Sequence, residues 1–341
     1  MTENWSLYHP EIPEFLRRLA ETPPMTRLRQ VGMNCGCEYT AFPQFAGWAP
    51  YSRFDHSLGV ALIVWHFTGD VRQSAAGLLH DAATPAFAHV VDFLHGDHLR
   101  QESTEGRTAE LIGRSPELQA LLGEYGLTTA DVADYHRYPI AANDSPQLSA
   151  DRLEYTLGDL RCYGFAGEAA IRAFYEDLTV WRDEAGRPEL AFRTPETACA
   201  FTEAALRTAR VYVADEDRFA MQALADLLRG AVGRKVLTED DLYQTEPLVI
   251  QRLEADPVSA AQWCRFRRFC RVERRMDRPE GGIWYRIPAK LRYIDPLVAG
   301  RGRVSRLDEG IRQAQETFLA TDFACWIGVP EDAVEERGDI F

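Results

Sequence analysis

The stretch Arg53-Phe54-Asp55-His56-Ser57-Leu58-Gly59-Val60-Ala61-Leu62-Ile63-Val64, followed by Gly77-Leu78-Leu79-His80-Asp81, decides how this chain folds. Ser57 to Phe67 is strongly apolar, which predicts a buried helix following His56. Asp70 to Leu79 predicts a second helix that ends on His80 and Asp81. An imidazole and a carboxylate side by side at the end of an apolar helix need a reason, because burying an unpaired carboxylate costs several kcal/mol or more. A divalent cation is one way to offset that cost.

Working outward, Ser149-Ala150-Asp151-Arg152-Leu153 opens another helix, with Leu153, Leu157 and Leu160 on one side. His56, His80, Asp81 and Asp151 then offer two imidazoles and two carboxylates. That set suits one divalent ion of the Mn, Fe, Zn, Co, Ni or Mg group. The four are far apart in sequence, so facing helices must bring them together, as helical bundles do. His66, inside the apolar run, reads as a core histidine.

Elsewhere the pattern is mostly helical. Pro10 to Ala20, Glu105 to Gly113, Pro116 to Tyr125 and Asp151 to Cys162 carry apolar residues at helical spacing. Pro85 interrupts after the His-Asp pair, and Phe87 to Leu94 resumes a helix. Thr194 to Arg229 reads as two long helices broken near Tyr212 to Asp215. After about Gln262 the character changes. Arg265 to Arg278 is rich in arginine, and reads as a solvated face whose phenylalanines pack inward; a nucleotide or oligomer-interface role is the alternative. Ile283–Ile287 and Lys290–Ile294 have strand composition. The expectation is a mainly α fold, with a helical domain over 1–261 and a small C-terminal antiparallel β/α appendage over 262–341.

Composition bounds the function. The chain has 341 residues and a formal net charge of −14, which disfavours nonspecific nucleic-acid binding. It contains no apolar run long enough to span a bilayer, and its first residues lack the pattern of a signal peptide. Seven cysteines follow no regular framework and read as reduced thiols of a cytoplasmic protein, with a structural metal on Cys35 and Cys37 the lesser alternative.

With these motifs the chain resembles the HD superfamily of metal-dependent phosphohydrolases from about Phe15 to Gly164, best from Arg27 to His89. Arg27-Leu28-Arg29-Gln30, Phe42-Pro43 and Arg53–Val60 are similar to the entry of its deoxynucleoside-triphosphate triphosphohydrolase (dGTPase-like) branch. Ala76–Asp81 resembles the second signature, and Asp151–Tyr155 with Asp159 the third. The resemblance implies an HD-domain helical bundle that binds one metal through His56, His80, Asp81 and Asp151. It implies that Arg53 approaches a substrate phosphate, with Arg152 and Tyr155 along the pocket and Asp159 at the sugar. It also implies an oligomer, with a phosphorylated small molecule, in first place a nucleotide, as partner. Arginine's planar donor fork suits phosphate independently of any family.

Two family positions differ. Where the family carries Gly-His-x-Pro-Phe-x-His, this chain has Ala83-Thr84-Pro85-Ala86-Phe87-Ala88-His89: the last histidine is kept and the first is Thr84. Where a His-Glu pair follows one helix later, the nearest residues are Gln101 and Glu102. Loss of one acid-base group lowers rate by about a hundred- to ten-thousandfold. His89, His98 and Glu102 are therefore the candidates for proton transfer. The expected function is metal-dependent hydrolysis of a nucleotide or related phosphate ester or anhydride. The alternative is an HD protein that binds metal and nucleotide as a sensor or scaffold without turnover. A third reading, di-iron oxidation, would need extra ligands from among His89, His95, His98 and His136.

Overall fold

The computed structural model describes residues 4–99 and 106–330. The expected central helix spans Arg53–Thr68 (α1). Phe54, Leu58, Val60, Leu62, Ile63 and Val64 are all buried. Each such side chain contributes about 1.5–3 kcal/mol relative to an exposed one. The helix ends at Gly69, whose left-handed φ of 62° lets its N–H reach Trp65 O at 2.9 Å. Val71–Leu79 (α2) turns back against it, capped by Asp70, which accepts from Arg72 and Gln73 N–H. Gly77 lets the two helices close in, since a Cβ there would lie 3.3 Å from Val60. Val90–His95 (α3) and Ala150–Cys162 (α4) complete the helices that carry the expected site.

Pro195–Tyr212 (α5) and Asp215–Gly233 (α6) break where the sequence indicates. Glu246–Ala255 (α7), Pro257–Arg267 (α8) and Glu309–Leu319 (α9) follow. One apolar core gathers α1, α2, α4 and part of α5; a second gathers α3, α6, α7 and α8. Helices of both cores line the cavity described below: α1 and α4 of the first, α3 and α6 of the second.

Two small sheets accompany the helices among the described residues. Leu178–Arg182 (β1) and Pro188–Phe192 (β2) form an antiparallel hairpin. Glu273–Arg275 (β3) and Ile283–Tyr285 (β4) flank Trp326–Val329 (β7) in an antiparallel sheet, order β3-β7-β4. Leu297–Val298 (β5) and Gly302–Arg303 (β6) join the first sheet, order β1-β2-β5-β6.

Three expectations change. Lys290–Ile294 is no strand: it has extended composition but joins no ladder. The helix after Pro85 starts at Val90 rather than Phe87, because Phe87 and Ala88 take left-handed φ of 60° and 48°. His66 is exposed rather than core, since the last turn of α1 rotates its face to solvent and leaves the ring against Tyr175 and Phe67. The seven cysteines form no disulfide with one another. No helix among the described residues is long and apolar enough to cross a membrane.

Candidate metal centre

Local capping fixes where each candidate ligand stands. Ser52 and Asp55 form a capping box at the start of α1: Ser52 Oγ accepts from Asp55 N–H at 3.2 Å and Asp55 Oδ2 accepts from Ser52 N–H at 3.1 Å. Asp55 is therefore a cap, and it sets Arg53 and His56 in the first turn. His80 ends α2, its Nδ1 2.8 Å from Gly77 O, so Nδ1 donates to that carbonyl and Nε2 is the nitrogen turned towards Asp81 and Asp151. Ser149 caps α4 by accepting from Arg152 N–H, which places Asp151 in the first turn.

The three helices bring these groups together. His56 Nε2 lies 3.2 Å from Asp151 Oδ1, and His80 Nε2 lies 4.0 Å from the same oxygen. The ligand atoms of His56, His80 and Asp151 all lie within 4.8 Å of one another. Metal–ligand bonds of about 2.0–2.2 Å fit between donors so spaced. Asp81 stands at the edge of this group, its Oδ2 3.7 Å from His80 Nε2. Its carboxylate is also held by Arg53 Nη1, which donates to Oδ2 at 3.0 Å, and by Thr84 Oγ1, which donates to Oδ1 at 2.8 Å.

The surroundings favour a cation at the centre. Burial works against a charged His56, but Asp151 and Glu154 outweigh it and push its pKa up to about 10. Burial raises Asp81 and Asp151, yet the charges of His80 and His56, and Arg53 at Asp81, hold both well below the usual carboxylate range. Tyr135 donates to Asp151 Oδ2 at 3.3 Å and lays its ring against His80, centroids 4.7 Å apart.

Glu154 is the main residue that sequence reasoning passed over. It is 3% exposed and lies 2.6 Å, Oε2 to Nδ1, from His56. Tyr8 and Tyr51 also donate to it. A carboxylate on the outer nitrogen fixes the tautomer and raises the basicity of a metal-ligating imidazole. Two glycines make its slot: a Cβ at Gly59 would run into the Glu154 carboxylate, and one at Gly158 into Tyr51. The available signal was position, since Glu154 falls three residues after Asp151 on one helical face.

A cavity of about 490 Å³ opens over this group, within the range of small-molecule sites. Its lining includes Arg53, His89, His98, Arg152, Tyr155 and Asp159 from the sequence reading. Arg152 is engaged elsewhere: it donates through Nη1 to Asn143 Oδ1 and Gln147 O, and through Nη2 to Asn143 O. Asp159 accepts from Tyr212, and burial pushes its pKa up to about 7. His89 Nδ1 lies 2.9 Å from buried Asp92, and burial lowers its pKa. His98 Nε2 is buried without a hydrogen-bond partner. Glu102 lies outside the described residues. The lining adds Lys290, Arg292, Asp217 and Tyr212, which the sequence did not single out.

His95 pairs with Glu239, and no second His/Asp group accompanies the first among the described residues, which leaves the di-iron reading without support. Arg27 of the matched Arg-Leu-Arg-Gln stretch donates to Ala82 O and Thr84 O, and so holds the loop after Asp81.

No family model matches this chain. It is 28% identical over 206 residues to an uncharacterised protein, YdhJ, of Bacillus subtilis, covering 60% of this chain and 61% of that protein. It is 29% identical over 125 residues to a metal-dependent phosphohydrolase, cns2, of Cordyceps militaris, covering 35% of this chain and 34% of that protein. The chain thus spans less than two thirds of either relative. This distant, partial likeness supports a metal-dependent phosphohydrolase of the HD kind at the level of superfamily, and goes no further towards a branch or a substrate.

Proposed function

We propose that this protein is an HD-type, metal-dependent phosphohydrolase acting on a phosphorylated small molecule, in first place a nucleotide. The observation that carries the reading is the convergence of His56 Nε2, His80 Nε2 and an Asp151 oxygen within 4.8 Å under a cavity lined by arginine and lysine. His56, His80, Asp81 and Asp151 would hold one divalent ion. Such an ion polarises a phosphoryl oxygen and lowers the pKa of bound water towards neutrality.

The chain's own groups divide the remaining work. Glu154 keeps the His56 Nδ1 proton in place, so Nε2 faces the centre unprotonated once metal is bound. Tyr135 orients Asp151. Arg53, buried against Asp81, sets a positive charge beside the site where phosphate oxygens gather charge. His89 is neutral near pH 7 and commits Nδ1 to Asp92, which leaves Nε2 able to accept a proton. Tyr155 and Asp159 face the organic part of the substrate, where carboxylates accept hydroxyl hydrogen bonds.

The test is hydrolysis of a panel of nucleotides and other phosphate esters with Mn, Fe, Zn, Co, Ni and Mg, with product identification. Metal-dependent release of phosphate, pyrophosphate or triphosphate is expected, and is lost when His80 and Asp81 are both replaced by Ala. Full activity in that double variant sinks the proposal. Thr84 favours the second reading: it donates to Asp81 where the family has a titratable histidine. That reading expects metal and nucleotide binding with no turnover across the whole panel.

A further inference from the structure

Helix α4 lays a line of cavity residues outward from the metal centre. Asp151, Tyr155 and Asp159 are spaced four residues apart, Tyr163 follows the helix end, and all four line the cavity. At about 1.5 Å per residue, Asp159 stands about 12 Å along the axis from Asp151. The metal ligands and Arg53 occupy one end of the cavity. The other end carries a carboxylate that the hydrolytic reading leaves idle, that of Asp217.

Asp217 sits in the first turn of α6 and lines the cavity. The buried Cys37 thiol donates to its Oδ1 at 3.6 Å. The turn that carries Cys37 touches the last residue of α4, where Asn34 Nδ2 lies 3.9 Å from Cys162 Sγ. Burial raises the Tyr163 pKa most, and the charges of Asp159, Tyr212 and Asp217 raise it further, so these groups share the far end. A thiol is a weak donor. Oδ2 of Asp217 accepts no hydrogen bond from a described residue. Burial therefore dominates and pushes the Asp217 pKa up to about 7, with the Cys37 thiol and Arg218 pulling the other way. Buried polar groups normally find full partners. Here the missing donor is left to whatever fills the cavity. Flat rings surround the same end: Trp48 and Tyr163 stack with centroids 4.1 Å apart, and Tyr155 meets Tyr212 edge-on at 6.3 Å. All four rings line the cavity. Aromatic faces beside a carboxylate that lacks donors suit a planar ring carrying an amino group.

We propose that Asp217 is a specificity-determining residue of this cavity: its carboxylate accepts from an exocyclic amine of the substrate's heterocycle, and so separates amino-bearing bases from counterparts without the amine. The inference rests on the phosphohydrolase reading of the same cavity and adds which organic group it takes. Asp159 works beside it but already accepts from Tyr212, so it has less to gain from a ligand donor. Asp217 has only the thiol. A ligand lacking the amine leaves this carboxylate enclosed and short of donors, and that penalty, more than the new bond, rejects the wrong base. The role also gives Cys37 a purpose: its thiol holds Oδ1 in place without satisfying the carboxylate.

The experiment is calorimetry on the metal-loaded full chain. The probes are nucleoside monophosphates paired so that each pair differs at one amino group: guanosine with inosine, adenosine with purine riboside, cytidine with uridine. Phosphocholine is a further probe. Variants are Asp217→Asn and Asp217→Leu, with Glu216→Gln as control, since Glu216 shares the turn but does not line the cavity. In the wild type, the amino member of at least one pair is expected to bind at least about tenfold tighter. That preference falls to within about threefold in Asp217→Leu, lies between in Asp217→Asn and is kept in Glu216→Gln. Metal content is the same in all four proteins. No preference in the wild type, or one kept in both Asp217 variants, overturns the role of Asp217 and leaves the metal-site reading standing. Asp217-dependent binding of phosphocholine, with no amino preference among the nucleotides, also overturns it, because the rings and carboxylate then hold an alkylammonium. Failure of the wild type to take up metal or to bind any of the probes overturns the phosphohydrolase reading, and this proposal with it. If neither variant folds, Asp217→Glu decides, since it keeps the charge and moves it by one methylene: an unchanged preference rejects the proposal.

Discussion

His56 Nδ1 and Glu154 Oε2 lie 2.6 Å apart, so the imidazole that faces the metal centre is steered from behind by a buried carboxylate. Glu154→Gln keeps the volume but removes the charge that fixes the tautomer. Metal affinity is expected to fall by about 10- to 100-fold, read by metal titration, with the fold retained. Glu154→Ala also strands the Tyr8 and Tyr51 hydroxyls. It is expected to lower stability by about 1–3 kcal/mol for each group left unpaired, read by denaturant unfolding. Metal affinity unchanged in Glu154→Gln would reject the role assigned here.

Arg53 and Asp81 make opposite demands on metal binding. In the metal-free protein Arg53 offsets the buried Asp81 charge, and truncating one partner of such a pair destabilises by about 3–5 kcal/mol. A bound divalent ion takes over that offset. Arg53→Gln is therefore expected to lower the melting point of the metal-free protein and to show a larger rise on metal addition than the wild type. Its kcat/KM should fall at least about tenfold. Thermal scans with and without metal check the first pair of expectations, and steady-state kinetics the last.

The Glu38–Glu246 pair makes stability depend on pH away from the metal. Glu246 accepts from Gly32 and Phe87 N–H and from Tyr39, while Glu38 Oε2 is buried with no partner. Burial, and then the charge of Glu246, push the Glu38 pKa up to about 8, from an ordinary value of 4.5. The folded chain thus binds a proton that the unfolded chain has released across this window. Stability is full below the unfolded value and is lost as pH rises through the folded one. Glu38→Gln should flatten that fall, being the more stable form above about pH 8 and similar to wild type near about pH 4.5. Parallel pH profiles for the two proteins count against the pair.

Arg152 is committed to the 143–149 loop by three hydrogen bonds to Asn143 and Gln147. Arg152→Lys breaks this fork and is expected to cost about 1–3 kcal/mol in denaturant unfolding, with KM changed by less than about threefold. A tenfold rise in KM at unchanged stability would return Arg152 to the substrate-contact role that the family resemblance implies.

The helical body was legible because its signals are local and strong. The apolar run after His56, the helix from Asp70 and the break at Tyr212–Asp215 each rest on signals within a turn or two. His56, His80 and Asp151 could be named because their flanks resemble a family, while their spacing alone said nothing. What stayed hidden depends on tertiary partners. Lys290–Ile294 alternates as a strand does, but whether a neighbour offers it a ladder is settled elsewhere in the fold. The β1–β2 hairpin was overlooked although Asp183 and Gly186 mark its turn, where Asp183 accepts from Ala185 and Arg187 N–H. His66 reads as core because a strongly apolar run does not reveal which turn reaches the surface.

Gly59 and Gly158 offer no chemistry, yet they set how freely this centre can be altered. The space that a side chain at 59 would fill already belongs to the Glu154 carboxylate, and the space at 158 to Tyr51. Any added carbon at either position moves the group behind His56 before it touches the donors themselves. Heritable change here must therefore come in pairs, a larger residue at 59 together with a shorter one at 154. A library that varies the visible ligands while keeping both glycines explores new metals, whereas one that varies the glycines explores only loss.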